Sequence, residues 1–252
     1  MNILYDNIEI KDALSLIMQA LFLKTKKTIF FLNAYCVYQA DQDAHYREIL
    51  DQADLVLPDG IGLRIGTWIL GGQMKENCNG SDFSPICISS ASKAGYQIFL
   101  LGGKPGIADK AAEKLKELVP DVLIAGTHHG YFENDEKVIS RINQSGAQLL
   151  LVAMGVPRQE KWIMRYRDRL NPTVCLGIGA LLDYLSENVQ RAPLILRRIH
   201  LEWFWRFFVE PKRLFKRYFI YGPYFIFVVL KWRLREVVPG QRAIRLLKQI
   251  RR

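Results

Sequence analysis

Asp59 stands in the run Leu55 to Gly62, L-V-L-P-D-G-I-G, at the position of this chain best suited to acid–base chemistry. Leu55, Val56 and Leu57 read as a short buried strand, which Pro58 ends because proline has no N–H to continue a ladder. The carboxylate then falls on a stiff turn at the strand's carboxyl end, where open α/β sheets bind their ligands. A carboxylate held there can take a proton from a bound substrate. The competing explanation of P-D-G is a turn aspartate that only hydrogen-bonds its own backbone. A second chemical feature is Gly102-Gly103-Lys104-Pro105-Gly106, ahead of a helical stretch. Backbone N–H groups and a helix dipole could cradle phosphate there. The run matches neither a dinucleotide fingerprint nor a Walker loop, and glycines of a strand–helix turn also serve packing alone.

Six apolar runs must position these groups: residues 28–33, 54–57, 97–101, 122–125, 148–154 and 173–178. Helical patterns lie between them: after the first strand through Ile49, from Ile61 onward, after Asn79-Gly80-Ser81-Asp82 to about Ala94, over 107–118 and over 136–142. Ser81 or Asp82 is expected to cap the third of these. Continuous apolar strands bounded by glycine turns mean that both sheet faces are covered. The fold class expected is α/β, a Rossmann-like, doubly wound, mostly parallel sheet.

The charge is divided. From Gln190 to Arg252 there are 16 Lys/Arg and 3 Asp/Glu, whereas residues 1–189 carry 19 basic and 22 acidic residues. Inference about anionic partners therefore concerns the tail alone. There, aromatics and arginines interleave from Pro193, and Arg206, Arg213 and Lys216 or Arg217 have spacings that share a helical face. The apolar stretch 219–230 is twelve residues long, with Pro223 inside it. A spanning helix needs about 20, so the pattern points to a segment lying in an anionic membrane interface, with Trp203, Trp205 and Trp232 at headgroup depth. Packing of these aromatics on the core, or binding of nucleic acid, are the rival explanations; the nearly unbroken apolar run favours lipid over nucleic acid. The division expected is a body over 1–190 and an amphipathic, helical, membrane-associating appendage over 191–252.

Half of the residues are apolar, which excludes a disordered chain. Cys36, Cys78, Cys87 and Cys175 form no C-x-x-C pair and are expected to be buried free thiols in a reducing compartment. His128-His129 has no nearby carboxylate and suits a structural role better than a metal site. The N-terminus has no basic-then-apolar leader, so a cytoplasmic location is expected.

Taken in order, L-N-A at 32–34, A-D-L-V-L-P-D-G-I-G at 53–62, N-G-S-D at 79–82, G-V-P-R-Q-E-K-W at 155–162, G-I-G-A-L-L-D at 177–183, R-A-P at 191–193 and L-E-W-F-W-R-F-F-V-E-P-K-R at 201–213 resemble the WecG/TagA/CpsF glycosyltransferases. The resemblance runs from about Asn33 to Trp232. It implies an inverting, metal-independent transferase that needs no cofactor. Such an enzyme passes a sugar from a nucleoside diphosphate, usually UDP, to a saccharide on a polyprenyl diphosphate at the cytoplasmic membrane face, for surface or exopolysaccharide synthesis. A homo-oligomer is compatible with it, and nucleic acid is not a partner.

Asp59 falls on the family's proposed base. Substrate contacts fall on Asn33, Gly60, Asp82, Gly102, Gly103, Gly155, Pro157, Gln159, Arg206, Arg213 and Lys216. Arginines of the appendage close over the site in this family and help bind diphosphate; Lys216 offers a point charge where Arg would offer a bidentate fork, and Arg217 stands beside it. Three departures distinguish this chain: Phe31 where Thr is common, Asn77 where Arg is frequent, and Glu187 where Gly is common. The first two alter the pocket, so the donor sugar is expected to differ from N-acetylmannosamine. Two other functions compete: a nucleotide-dependent oxidoreductase built on Gly102-Gly103, and a catalytically impaired scaffold with a membrane- or polyanion-binding tail.

Overall fold

The computed structural model describes residues 5–198 and 201–237. Six strands form one all-parallel sheet: β1 (Lys27–Leu32), β2 (Leu55–Pro58), β3 (Gln97–Gly102), β4 (Leu123–His128), β5 (Leu149–Ala153) and β6 (Val174–Gly177), in the order β2-β1-β6-β5-β3-β4. All six expected strands are present, and the fold is the doubly wound α/β type. Alternation of side chains about each strand divides the core in two. Phe30, Leu32, Phe99, Leu101, Leu150 and Val152 face one layer of helices. Ile29, Phe31, Ile98, Leu100, Leu149 and Leu151 face the other.

Several local expectations change. Pro58 does not precede the end of its strand but belongs to it, paired with Leu32. β2 is an edge strand, where a missing N–H costs no ladder bond. The helix expected through Ile49 is two, Ala34–Gln42 and Ala44–Gln52, divided at Asp43, whose extended backbone lets its carboxylate cap the second by accepting from the Tyr46 N–H at 3.1 Å. Asn79, rather than Ser81 or Asp82, caps the Gly80–Lys93 helix by accepting from the Ser81 N–H at 2.8 Å. A first helix, Ile10–Leu23, for which the sequence carries no motif, buries Ala13, Ile17, Ala20 and Leu21 against the second layer. All four cysteines are free and buried.

In the tail, Glu202–Val209 and Pro211–Lys216 are separate helices, because the chain bends at Glu210 and Pro211 restarts it. Arg206, Arg213 and Lys216 thus do not share one helix; the Arg213 side chain lies outside those described. A π-helical turn, Arg217–Tyr221, leads into the helix Gly222–Val237. Pro223 is the second residue of that helix and sits at its junction with the π-helical turn, so it does not interrupt the helix. One face of the helix is core. Phe225 and Val229 are buried with Val37, Ala40 and Leu63, and a side chain on Gly66 would stand 2.5 Å from the Phe225 ring. Trp232 packs on the same cluster, and the Trp205 indole donates to the Gln190 carbonyl at 3.3 Å. Both indoles are partly buried rather than fully exposed. The other face of the Gly222–Val237 helix is bare at Phe227, Leu230 and Leu234, and Leu194, Ile195, Phe204, Phe208 and Phe219 elsewhere in the tail are exposed as well.

Candidate active site

The carboxyl ends of β1 and β2 place Asn33 and Asp59 side by side. Asn33 caps the Ala34–Gln42 helix: its Oδ1 accepts from the N–H groups of Tyr35 and Cys36 at 3.1 and 3.2 Å. With Oδ1 committed, the Nδ2 amide faces Asp59 and donates to its Oδ2 at 3.4 Å. The Asp59 N–H donates to the Leu32 carbonyl at 2.7 Å, so strand β1 also holds the backbone of the turn. On its far side the Gly60 N–H donates to Asn77 Oδ1 at 2.7 Å. Gly60 has φ +90°, a conformation that only glycine adopts without strain.

Asp59 lines two clefts. One, of about 640 Å³, is walled by Asn33, Gly60, Lys75, Asn77, Asp82 and Trp203. The other, of about 610 Å³, runs along the ends of β5 and β6 past Gly103, Gly155, Gln159, Gly179 and Lys216. Arg206 and Arg217 of the tail line both. Each guanidinium rests on a tyrosine face, Arg206 at 5.5 Å from the Tyr184 ring centre and Arg217 at 5.0 Å from that of Tyr35. Burial pushes the Asp59 carboxyl up from its ordinary value. The Asn33 amide, Arg217 and Arg206 oppose that rise, and Glu202 adds to it.

The remaining expected site residues serve different ends. Gln159 is almost fully buried; its Oε1 accepts from the Gly179 N–H at 3.1 Å and its Nε2 donates to Glu160 Oε1 at 2.7 Å. It shapes the glycine turn after β6 from beneath. Glu160 is completely buried, and burial raises its carboxyl to about 7. Pro157 caps the Arg158–Tyr166 helix, while Gly155, Val156 and Arg158 on either side of it form the cleft wall. Gly102 is buried, and a Cβ there would stand 2.3 Å from the Ala153 carbonyl oxygen. The Gly103 N–H donates to that same carbonyl at 3.0 Å. The glycine pair is thus required by packing, and the Gly103 N–H is already bonded and not free for phosphate. Asp82 is drawn into ion pairs with Arg191 at 2.5 Å and Arg197 at 3.6 Å, which fasten the start of the tail to the body.

Asn77 lines the 640 Å³ cleft, as its place at a pocket position of the family led one to expect, and Tyr35 and Tyr218 line it without having been expected to. For Tyr35 the sequence offered only its place two residues after Asn33. The D-x-D spacing Asp41-Gln42-Asp43 is committed elsewhere: Asp41 accepts from the Tyr224 hydroxyl, and Asp43 pairs with Lys161 at 2.5 Å besides capping its helix. Neither lines the two clefts. Among the described residues, no three His, Cys, Asp or Glu side chains gather as metal ligands do.

The family model described as the glycosyl transferase WecG/TagA/CpsF family matches residues 1–238. Among curated proteins, an N-acetylglucosaminyldiphosphoundecaprenol N-acetyl-beta-D-mannosaminyltransferase of Bacillus spizizenii is 30% identical over 198 residues, covering 78% of this chain and 77% of the relative. Proteins of the same name from Bacillus subtilis and Staphylococcus aureus are 31% and 30% identical over 75% and 72% of this chain, and 74% and 72% of their own.

Proposed function

The chain belongs to the WecG/TagA/CpsF family of glycosyl transferases, and on that premise we propose that it moves a sugar from a UDP-sugar onto a saccharide carried by a polyprenyl diphosphate, with inversion and without a metal. The relatives' names supply the acceptor class, an N-acetylglucosaminyl diphosphoundecaprenol. One observation carries the chemistry: Asp59 lies where two clefts meet, with two tail arginines lining both.

The donor occupies the cleft along β5 and β6, as ligands of open parallel sheets lie beyond the strands' carboxyl ends. The acceptor's terminal sugar enters from the Lys75–Asn77 side. Asp59, ionised, takes the proton of the acceptor hydroxyl. That oxygen attacks the donor's anomeric carbon from the face opposite the nucleotide. The bond from that carbon to the β-phosphate oxygen breaks, and its electron pair leaves with UDP. Arg206 and Arg217 meet the charge that develops on the diphosphate. Because burial raises the Asp59 pKa, the acid limb of the rate profile falls above the ordinary aspartate range, and activity is lost as pH drops through it.

Two features support peripheral association with the cytoplasmic face of a membrane through an appendage beginning near 191. The bare apolar face of the tail lies among its basic residues. Among the described residues no helix is long and apolar enough to cross a membrane. Phe31 lines the donor cleft, so an apolar contact replaces a hydroxyl beside the donor sugar, which favours a hexose other than N-acetylmannosamine. The deciding experiment presents a panel of UDP-sugars with N-acetylglucosaminyl diphosphoundecaprenol and longer lipid-linked acceptors, and reads transfer by mass spectrometry. Transfer of one sugar with inverted anomeric configuration in the presence of EDTA is the expected result. No transfer from any UDP-sugar would return the chain to the scaffold alternative.

A further inference from the structure

Asn77 is a half-buried amide on the loop between the Ile61–Ile69 and Gly80–Lys93 helices. The catalytic turn has two neighbours. Strand β1 holds it from one side, through the bond from the Asp59 N–H to Leu32 and the Asn33 amide on the carboxylate. On the other side the loop grips it twice: the Cys78 N–H donates to the Pro58 carbonyl at 2.9 Å, and Asn77 Oδ1 accepts from the Gly60 N–H at 2.7 Å. Those two bonds straddle Asp59. The loop is itself anchored to the N-terminal segment, since Glu76 Oε2 accepts from the Ile10 N–H at 2.7 Å and Asn7 Oδ1 from the Lys75 N–H at 2.8 Å.

The Asp59–Gly60 peptide is the weak point of this arrangement. Glycine tolerates φ of either sign, so rotation of that peptide plane meets no side-chain barrier at Gly60, where an added Cβ would find open space. Rotation would turn the Gly60 N–H away and bring the Asp59 carbonyl toward the acceptor cleft, beside the carboxylate that must stay ionised there. Among the described side chains, the acceptor recorded for this N–H is Asn77. An asparagine can accept this bond; a guanidinium has no acceptor and could not.

We infer that Asn77 is a positioning residue of the transfer reaction: by accepting from the Gly60 N–H it locks the Asp59–Gly60 peptide plane and so aims the base at the acceptor hydroxyl. Its role rests on Asp59 being that base, and it explains why this chain carries an amide on the cleft wall at this position.

The test uses the full chain with UDP-sugar and lipid-linked acceptor. Asn77→Ala is expected to lower kcat between about tenfold and a hundredfold, the range that misplacing a catalytic group commonly produces, with KM for the donor changed less than about twofold. Asn77→Asp keeps the acceptor atom. It should recover most of the turnover while moving the acid limb to higher pH, because a second carboxylate near Asp59 disfavours its ionised form. Asn77→Arg should behave as Asn77→Ala. Unchanged kcat and an unchanged pH profile in Asn77→Ala would overturn the inference. So would an effect confined to the acceptor's KM, which would make Asn77 an acceptor contact instead. Asp59→Asn separates the two levels: if it retains full turnover, the base assignment fails, whereas an inactive Asp59→Asn with a normal Asn77→Ala removes only the role of Asn77. Equal melting temperatures of the variants show that folding is intact.

Discussion

Two regions meet at Asp59, and they contribute opposite things. The body brings neutral groups with fixed directions: the Asn33 amide at a strand end, the Asn77 amide on the neighbouring loop and the backbone bonds that hold the P-D-G turn. The tail brings charge: Arg206 and Arg217, each backed by a tyrosine ring. Buried parallel strands are well suited to holding a base in place, but leave little room for uncompensated cations. A short helical segment can carry long cationic side chains over the site, their stems and planes laid on tyrosine rings. The difference teaches that aim and charge are separable here, and single substitutions can test the separation.

The largest effect is expected from the body. Asp59→Asn preserves shape and removes basicity, and should reduce turnover by roughly a hundred- to ten-thousand-fold with little change in melting temperature. Measured transfer within tenfold of normal would break the assignment of aim to this turn. Next come the tail cations. Arg206→Ala and Arg217→Ala should each lower kcat by about a hundredfold, as losing one stabiliser of developing charge commonly does. The exposed Lys216→Ala should cost no more than a few-fold. Equal effects at all three would mean that the π-helical turn does not single out Arg217.

A third comparison separates chemistry from membrane binding. Phe208→Ser with Phe219→Ser removes exposed rings that touch no part of the two clefts. Flotation with anionic vesicles should weaken and become more salt-sensitive, while transfer to a short-chain, detergent-soluble acceptor stays near normal. Removal of the whole tail is a poorer probe than the sequence suggested, because Phe225 and Val229 would leave the core and the body would lose packing along with charge.

The smallest effect concerns Glu160. Burial raises its carboxyl to about 7, so the folded chain holds this proton more tightly than the unfolded one. The stability this group contributes is full below the ordinary glutamate range and is lost as pH rises toward 7. Glu160→Gln, which does not titrate, should therefore lose less melting temperature between pH 5 and 8 than the parent, provided that Gln159 keeps its place. An identical pH slope in both proteins would show that the buried carboxyl is not what titrates there.

Much of the fold was legible because its signals are local. Runs such as Ile98–Leu101 and Leu149–Val152 are apolar at every position, as strands covered on both faces must be, and Pro58-Asp59-Gly60 marks its own turn. The Ile10–Leu23 helix was missed because it precedes the first strand and no motif points to it. Gly102-Gly103 is ambiguous in sequence because packing against Ala153 and phosphate binding demand the same residue.

What the amino-acid order determined by itself, then, was the alternation of strand and helix, the position of the carboxylate at a strand end and the separation of a near-neutral body from a cationic tail. Each follows from backbone preference, hydrophobic pattern or a count of charges. What only the tertiary structure decided was which side chains meet there: Asn33 with Asp59, Asn77 with Gly60, Arg206 and Arg217 over the junction of two clefts, and Phe225 against Gly66. Strand order and the docking of distant segments set those meetings, and neither is written in any short stretch of the chain.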